Sequence, residues 1–210
     1  MLVNASPHPP VPPARCDSAT PWRFPPERSL DAVSPWVLAF PLMKTRAMQL
    51  LDKAGIPYEV REFQEEELSA DEVTEKLGIP LAQVFKTLVV RGDRTGVLLA
   101  CLPGTTTLSL KALARASGNK QVELVETDEI LRLTGYIRGG VSPLGGKKAY
   151  PVYVDQSALE QPRLSVSAGM RGMQLFLTPQ NLIQATRGTV APLGDPTGSG
   201  GPPQRKRHDG

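Results

Sequence analysis

Two apolar runs separated by four turn-forming residues limit the fold more than any other feature of the chain. VFKTLVVR, residues 84–91, and VLLACL, residues 97–102, flank Gly92-Asp93-Arg94-Thr95. β-Branched and aromatic residues dominate the first run and Gly-Asp is turn chemistry, so the segment predicts a β-hairpin. Its first strand must be buried on at least one face, yet it carries Lys86. An ammonium there is costly to desolvate unless something negative meets it. Two readings stand: the stem packs along the sheet and the head reaches solvent at an edge, or an anion docks at a pocket mouth.

Around the hairpin, helical and strand patterns interleave. Met48, Leu50 and Leu51 give a first helix its apolar face, with Gly55 as the stop ahead of Pro57. Residues 58–63 alternate as a strand, and Ser69 with Glu72 forms a capping box for a helix ending at Gly78. Ser109 caps LKALARA, stopped by Gly118, and Thr127 caps DEILRL, stopped by Gly135. Strands are expected at 149–154, 164–167 and 174–177, and Thr178-Pro179 opens a last helix. The fold class is therefore α/β of the α+β type: a mixed, partly antiparallel sheet or barrel surrounded by helices.

Proline marks where folding is expected to begin. Ten of the 21 prolines fall in residues 1–42, which have no hydrophobic periodicity, so this extension is expected to be disordered. Met43 is a natural domain start and a candidate start of translation. The folded domain is expected over 43–187, with a disordered Gly/Pro/basic tail over 188–210. The N-terminus lacks a basic start followed by an apolar run, so it is not read as a secretory signal, and a cytoplasmic location is expected.

Charge and rare residues narrow the chemistry. Residues 59–75 hold eight carboxylates and one arginine; residues 132–171 hold six Lys/Arg against Asp155 and Glu160. His8 and His208 lie in the two tails, which removes any triad, Cys-His pair or histidine-based zinc site from the domain between them. Cys16 and Cys101 give neither a disulfide framework nor metal-ligand spacing, and no metal or cofactor is expected.

Two glycine-rich segments complete the candidate chemistry. GYIRGGVSPLGGKKAY, residues 135–150, either brings backbone N–H groups close to an anion or carbonyl oxygen, or is a surface turn. It contains neither a P-loop nor a dinucleotide fingerprint. SVSAGMRGM, residues 165–173, places Ser167 beside permissive backbone. With no histidine to serve as base, Ser167 is expected to hydrogen-bond rather than attack. Arg171 holds a phosphate or ion-pairs on the surface.

In this order and spacing, FKTLVV, GYIRGGVSPLGGKK and SVSAGMRGMQL, together with the entry DEVTEKLGIPLAQVFKTL, resemble the YbaK/EbsC family of Cys-tRNA(Pro) deacylases. These are stand-alone relatives of the prolyl-tRNA synthetase editing domain. The resemblance spans residues 43–187 and implies metal-free hydrolysis of the ester on a mischarged tRNA, Cys-tRNA(Pro) or Cys-tRNA(Cys), with the substrate's own thiol attacking the carbonyl. It implies catalytic roles for Lys86 and Thr87. It assigns the aminoacyl pocket to Phe63, Gly139, Gly140, Val141, Ser142, Pro143, Ser167, Ala168, Gly169 and Gln174. Phe63 replaces a frequent family tyrosine, and Gln174 a frequent aspartate. Arg138, Lys147, Lys148 and Arg171 are expected to touch tRNA phosphates, and prolyl-tRNA synthetase is the expected transient partner. The alternatives are a non-catalytic module for tRNA ends or nucleotides, a synthetase-docking module, or a deacylase for alanine or another small residue.

Overall fold

The computed structural model describes residues 44–63 and 78–195. The capping box at Ser69 and Glu72 lies outside the described residues. The chain runs through α1 (Arg46–Ala54), β1 (Glu59–Glu62), β2 (Val84–Gly92), β3 (Gly96–Pro103), α2 (Leu110–Ala116) and β4 (Val122–Leu124). It continues through α3 (Thr127–Thr134), β5 (Val152–Asp155), β6 (Leu164–Ser167), β7 (Met173–Leu177), α4 (Pro179–Thr186) and β8 (Thr189–Ala191). Short 3-10 turns at Leu81–Gln83 and Gln156–Glu160 lead into β2 and follow β5.

Caps set the helix ends. Thr45, Ser109 and Thr178 each accept a hydrogen bond from a first-turn N–H at 3.2–3.3 Å, and Pro179 occupies the first turn of α4. Gly55 and Gly135 close α1 and α3 in the left-handed region. Thr127 is not a cap: α3 is entered from Glu126, and Thr127 is its first residue.

The eight strands form one mixed sheet in the order β1-β7-β6-β2-β3-β5-β8, with β4 joined to β2. β2 is the pivot. The predicted hairpin pairs β2 and β3 antiparallel from Phe85↔Pro103 to Gly92↔Gly96. The other edge of β2 is divided. β6 pairs with it in parallel at Val84 and Phe85, and β4 pairs antiparallel at Val90, Arg91 and Gly92. Lys86 falls in the interval between them.

Both faces of the hairpin are covered, as its nearly unbroken apolar runs require. Phe85, Val89, Leu99 and Cys101 pack with Val166, Leu175, Met48, Leu51 and Leu182 on one face. Val90, Leu98 and Ala100 pack with Leu113 and Ala114 of α2 on the other. No helix among the described residues is long and apolar enough to cross a membrane.

The ordered chain does not stop at Arg187. β8 pairs in parallel with β5, Leu193 is fully buried, and Leu108 bridges to Gly194. Buried Asp155 fixes this segment. Its Oδ2 accepts from the N–H groups of Leu193 and Gly194 at 2.8 and 3.1 Å, while its Oδ1 accepts from Ser157 N–H and hydroxyl at 3.0 and 2.6 Å. The strand expected from residue 149 begins only at Val152, and β4 was not anticipated.

Replacing Asp155 by Ala leaves the buried Leu193 N–H and the part-buried donors of Ser157 and Gly194 without their acceptor. We expect a loss of about 2–4 kcal/mol in urea unfolding, with faster hydrogen exchange at Leu193 and Gly194. Asp155→Asn, which keeps one acceptor oxygen, should cost less.

Candidate active site

The break in the β2 edge assembles the site. β6 runs parallel to β2 only as far as Phe85↔Val166. One step further, Ser167 stands beside Lys86 where the ladder ends. β-Strand alternation then sorts the neighbours. Lys86 shares its face with Val84 and hence with Ser165 and Ser167 across the ladder. Ser165 and Ser167 lie opposite Phe176 and Gln174 of β7, and Gln174 lies opposite Arg61 of β1. Phe63, just past β1, packs toward Ile79, Val84 and Phe176, and its N–H donates to Gly172 at 2.8 Å. Lys86, Phe63, Ser167 and Gln174 therefore belong to one face.

Lys86 is half-buried, and its Nζ donates to the Gly104 carbonyl at 3.4 Å. Gln174 is oriented by the buried Ser165, whose hydroxyl donates to its Oε1 at 3.0 Å. Gln174 thus brings a neutral amide rather than a charge to this face.

Thr87 points to the opposite face. It lies across from Cys101, and its hydroxyl reaches Cys101 Sγ at 4.0 Å. Cys101 is fully buried, and loss of solvent pushes its thiol up to about 12, with the Thr87 hydrogen bond opposing the shift and the Asp155 charge adding to it. The structure therefore separates Lys86 from Thr87, which the sequence reading had paired, because adjacent strand residues project oppositely. It also makes Cys101 a core residue rather than a reactive thiol.

The two glycine loops meet at the rim. Gly139 is left-handed, with φ of 82°, and a Cβ there would lie 3.5 Å from Arg171 Nε. A Cβ at buried Gly140 would lie 3.2 Å from the Arg171 backbone nitrogen. Arg171 Nε donates to the Arg138 carbonyl at 2.9 Å, tying the loops together. Gly140 N–H is already engaged by the Ile137 carbonyl at 3.0 Å. These glycines thus let two backbones touch, a closer constraint than either an anion-lining loop or a surface turn imposes.

Beneath the rim, Val141, Ser142, Pro143 and Leu144 are buried. Ser142 Oγ accepts from Leu144 N–H at 3.2 Å, so it shapes the loop, and only its O–H is left to donate elsewhere. Tyr136 donates its hydroxyl to the Leu144 carbonyl at 2.6 Å and lies under Gly169, where a Cβ would come within 2.6 Å of its ring. Tyr136 is the structural residue that sequence reasoning missed. Its signal was an aromatic beginning a glycine-rich loop. Ser167 Oγ accepts from Gly169 N–H at 3.2 Å, and Ala168 is buried in the core. Arg138, Lys147 and Lys148 are exposed, consistent with solvent-facing charges.

The aminoacyl-tRNA editing domain profile matches residues 64–185, more than half of the sequence. The chain belongs to the aminoacyl-tRNA editing domain family. Over 152 residues the editing domain is 45% identical to an Enterococcus faecalis protein named "Putative Cys-tRNA(Pro)/Cys-tRNA(Cys) deacylase EbsC", covering 71% of this chain and 93% of that one. A stretch of 80 residues is 31% identical to proline–tRNA ligase of Thermosipho africanus, covering 38% of this chain and 14% of the ligase. Among solved structures, the fold is similar to "a putative trans-editing enzyme for prolyl tRNA synthetase". The TM-score is 0.67 at 28% identity, over 71% of this chain and 95% of the other.

Two predictions follow from the geometry of the editing domain. Gly169→Ala must displace Tyr136 and adopt a φ of 91°, so we expect a loss of about 1–3 kcal/mol in thermal unfolding. Cys101 should resist iodoacetamide in the native protein at pH 8. Its folded pKa lies above the ordinary value of 9.0, so the folded state keeps the proton that the unfolded state releases. The stability from burying the neutral thiol is complete below about pH 9 and is lost as pH rises toward about 12. Cys101→Ala should flatten that alkaline decline relative to wild type.

Proposed function

We propose that this chain is a trans-editing deacylase that cleaves the cysteinyl ester of Cys-tRNA(Pro), with Cys-tRNA(Cys) as a second substrate. The observation that carries the reading is Lys86: a half-buried ammonium between the β6 and β4 ladders of β2, on one face with Ser167, Gln174 and Phe63. Such a cation suits an anionic or developing-anionic partner, as the tRNA 3′ end provides. The name of the 45% identical relative and the family match support the substrate class.

The chemistry proposed needs no enzyme nucleophile. The substrate sulfur attacks the ester carbonyl, a C–S bond forms and the bond to the ribose oxygen breaks. That oxygen leaves with a proton, and the cyclic thioester released is opened by water. The protein's contribution is to hold the thiol against the carbonyl, and such positioning alone supplies several orders of magnitude. Lys86 offsets the charge developing on the leaving oxygen or binds the terminal adenosine phosphate. Gln174 and Ser167 supply neutral hydrogen bonds, and Phe63 a stacking surface. The only described thiol of the protein, Cys101, is buried with its pKa near 12 and has no part in this scheme. Thr87, held against Cys101 on the opposite face, takes no direct part either.

Likeness to proline–tRNA ligases supports a transient association with prolyl-tRNA synthetase in the cytoplasm. The decisive test follows release of cysteine or thiolactone from Cys-tRNA(Pro), beside Ala-, Pro- and Ser-tRNA(Pro). We expect cleavage of the cysteinyl ester alone. Lys86→Ala should lower the rate by on the order of 10²–10³, and Thr87→Val much less. Equal rates on cysteinyl and seryl esters would sink thiol participation.

A further inference from the structure

A second basic feature lies away from the Lys86 site. An open cleft of about 770 Å³ is bordered by the end of the β2–β3 hairpin, α2 and β4. Lys111 and Arg115 of α2 and Lys120 of the α2–β4 connection line it, and all three are exposed. Lys111 and Arg115 are one helical turn apart, about 6 Å, and so project from the same side of the helix. Among the described residues, none of the three forms an ion pair with a carboxylate.

Two acids, Asp93 and Glu123, also line the cleft, against the cations Arg91, Lys111, Arg115 and Lys120. Asp93 accepts from the N–H groups of Lys120 and Gln121 at 2.9 and 3.2 Å. Arg91 pairs with Glu129 at 3.0 Å, and Glu123 stands across the ladder from Arg91. The floor is fixed by buried Asn119. It accepts from the N–H groups of Arg94 and Thr95 and donates to the hydroxyls of Thr95 and Ser117, all within 3.0 Å. Cations on a rigid support hold a fixed spacing, as a polyanion of regular charge spacing requires.

The cleft also has a defined relation to Lys86. α2 packs on Val90, Leu98 and Ala100, the face that carries Lys86 two alternations earlier along β2. From Lys86 to Gly92 is six strand residues, roughly 20 Å at 3.3 Å each. That face is buried beneath α2, so a nucleic-acid strand whose 3′ end sits at Lys86 would pass over the outer side of α2, where Lys111 and Arg115 are exposed, to bring upstream phosphates to the cleft.

We propose that Lys111, Arg115 and Lys120 form a second RNA contact, holding the phosphate backbone of the tRNA acceptor arm while the 3′ ester sits at Lys86. This rests on the deacylase reading and deepens it: the contact recognises charge and shape rather than base sequence. It would let the domain engage tRNA without relying only on the glycine-loop cations.

The test compares wild type with the triple variant Lys111→Ala/Arg115→Ala/Lys120→Ala on two substrates, full-length Cys-tRNA(Pro) and the cysteinyl ester of a CCA trinucleotide. We expect kcat/KM on the full-length substrate to fall by about tenfold or more through KM, while the trinucleotide ester is cleaved at an unchanged rate. The salt slope of uncharged tRNA binding should fall by about 2–3. Lys111→Arg/Lys120→Arg should retain wild-type behaviour, since phosphate asks only for charge. An equal loss on both substrates, or an unchanged salt slope, overturns the contact. A loss confined to assays containing prolyl-tRNA synthetase also overturns it, since the surface then meets protein. If wild type cleaves neither ester while the triple variant still loses salt-dependent tRNA binding, the deacylase reading fails and the RNA contact stands.

Discussion

The divided edge of β2 is the constraint on which the rest depends. One edge is covered by β3 over almost its whole length, and the other is shared by β6 and β4, which enter from opposite ends and do not meet. At its paired ends β2 buries Val84, Phe85 and Val90, and the one charge there, Arg91, is answered by Glu129. Lys86 stands just past the point where the β6 ladder ends, and there the strand carries a half-buried charge instead of stranding it in a dry core. Parallel pairing with β6 also fixes what lies beside that lysine. The carboxyl end of β6 delivers Ser167 and the loop after it to the break. Crevices at the carboxyl ends of strands, where neighbours diverge, are where open sheets leave room for ligands.

Around that break the glycines act mainly as permission for close packing. Gly139 and Gly140 lie against the Met170–Arg171 backbone, Gly169 lies over the Tyr136 ring, and Gly145 abuts the start of α1, where a Cβ would come within 2.6 Å of Ala47 N. Each contact joins a loop to something already rigid. The rim therefore has few ways to relax, and on the proposed mechanism, which works by positioning, this property matters more than extra functional groups.

Much of this was legible in the sequence, for reasons that can be stated. The hairpin declared itself through β-branched runs around Gly92-Asp93, and Ser109 and Thr178 were readable as helix caps because capping chemistry is local. What stayed hidden was non-local. β4 and β8 are three residues each, too short for any period, and they exist because β2 and β5 offer them an edge. Leu193 reads as part of a Gly/Pro tail until Asp155, 38 residues earlier, is seen holding its N–H. The opposition of Lys86 and Thr87 was available from alternation alone, but family resemblance drew the pair together. Arg171 was read as phosphate ligand or surface ion pair; the structure uses its Nε as a bridge between loops.

On the proposed mechanism, selectivity has a source that pocket shape could not supply. A wall that accepts or rejects one small group discriminates by only about 1–3 kcal/mol, too little to separate cysteine from alanine or serine by volume. If the reacting sulfur comes from the substrate, an amino acid without it binds and leaves intact. The rim can then be built for rigidity, and a neutral Gln174 is tolerated where a charge would otherwise help to select. The same logic explains why the domain's own thiol must be kept out of the way. A reactive Cys101 beside the ester would cleave any aminoacyl group presented, cognate ones included. On the proposed mechanism, its burial on the face opposite Lys86 would then contribute to selectivity alongside the residues proposed to touch the substrate.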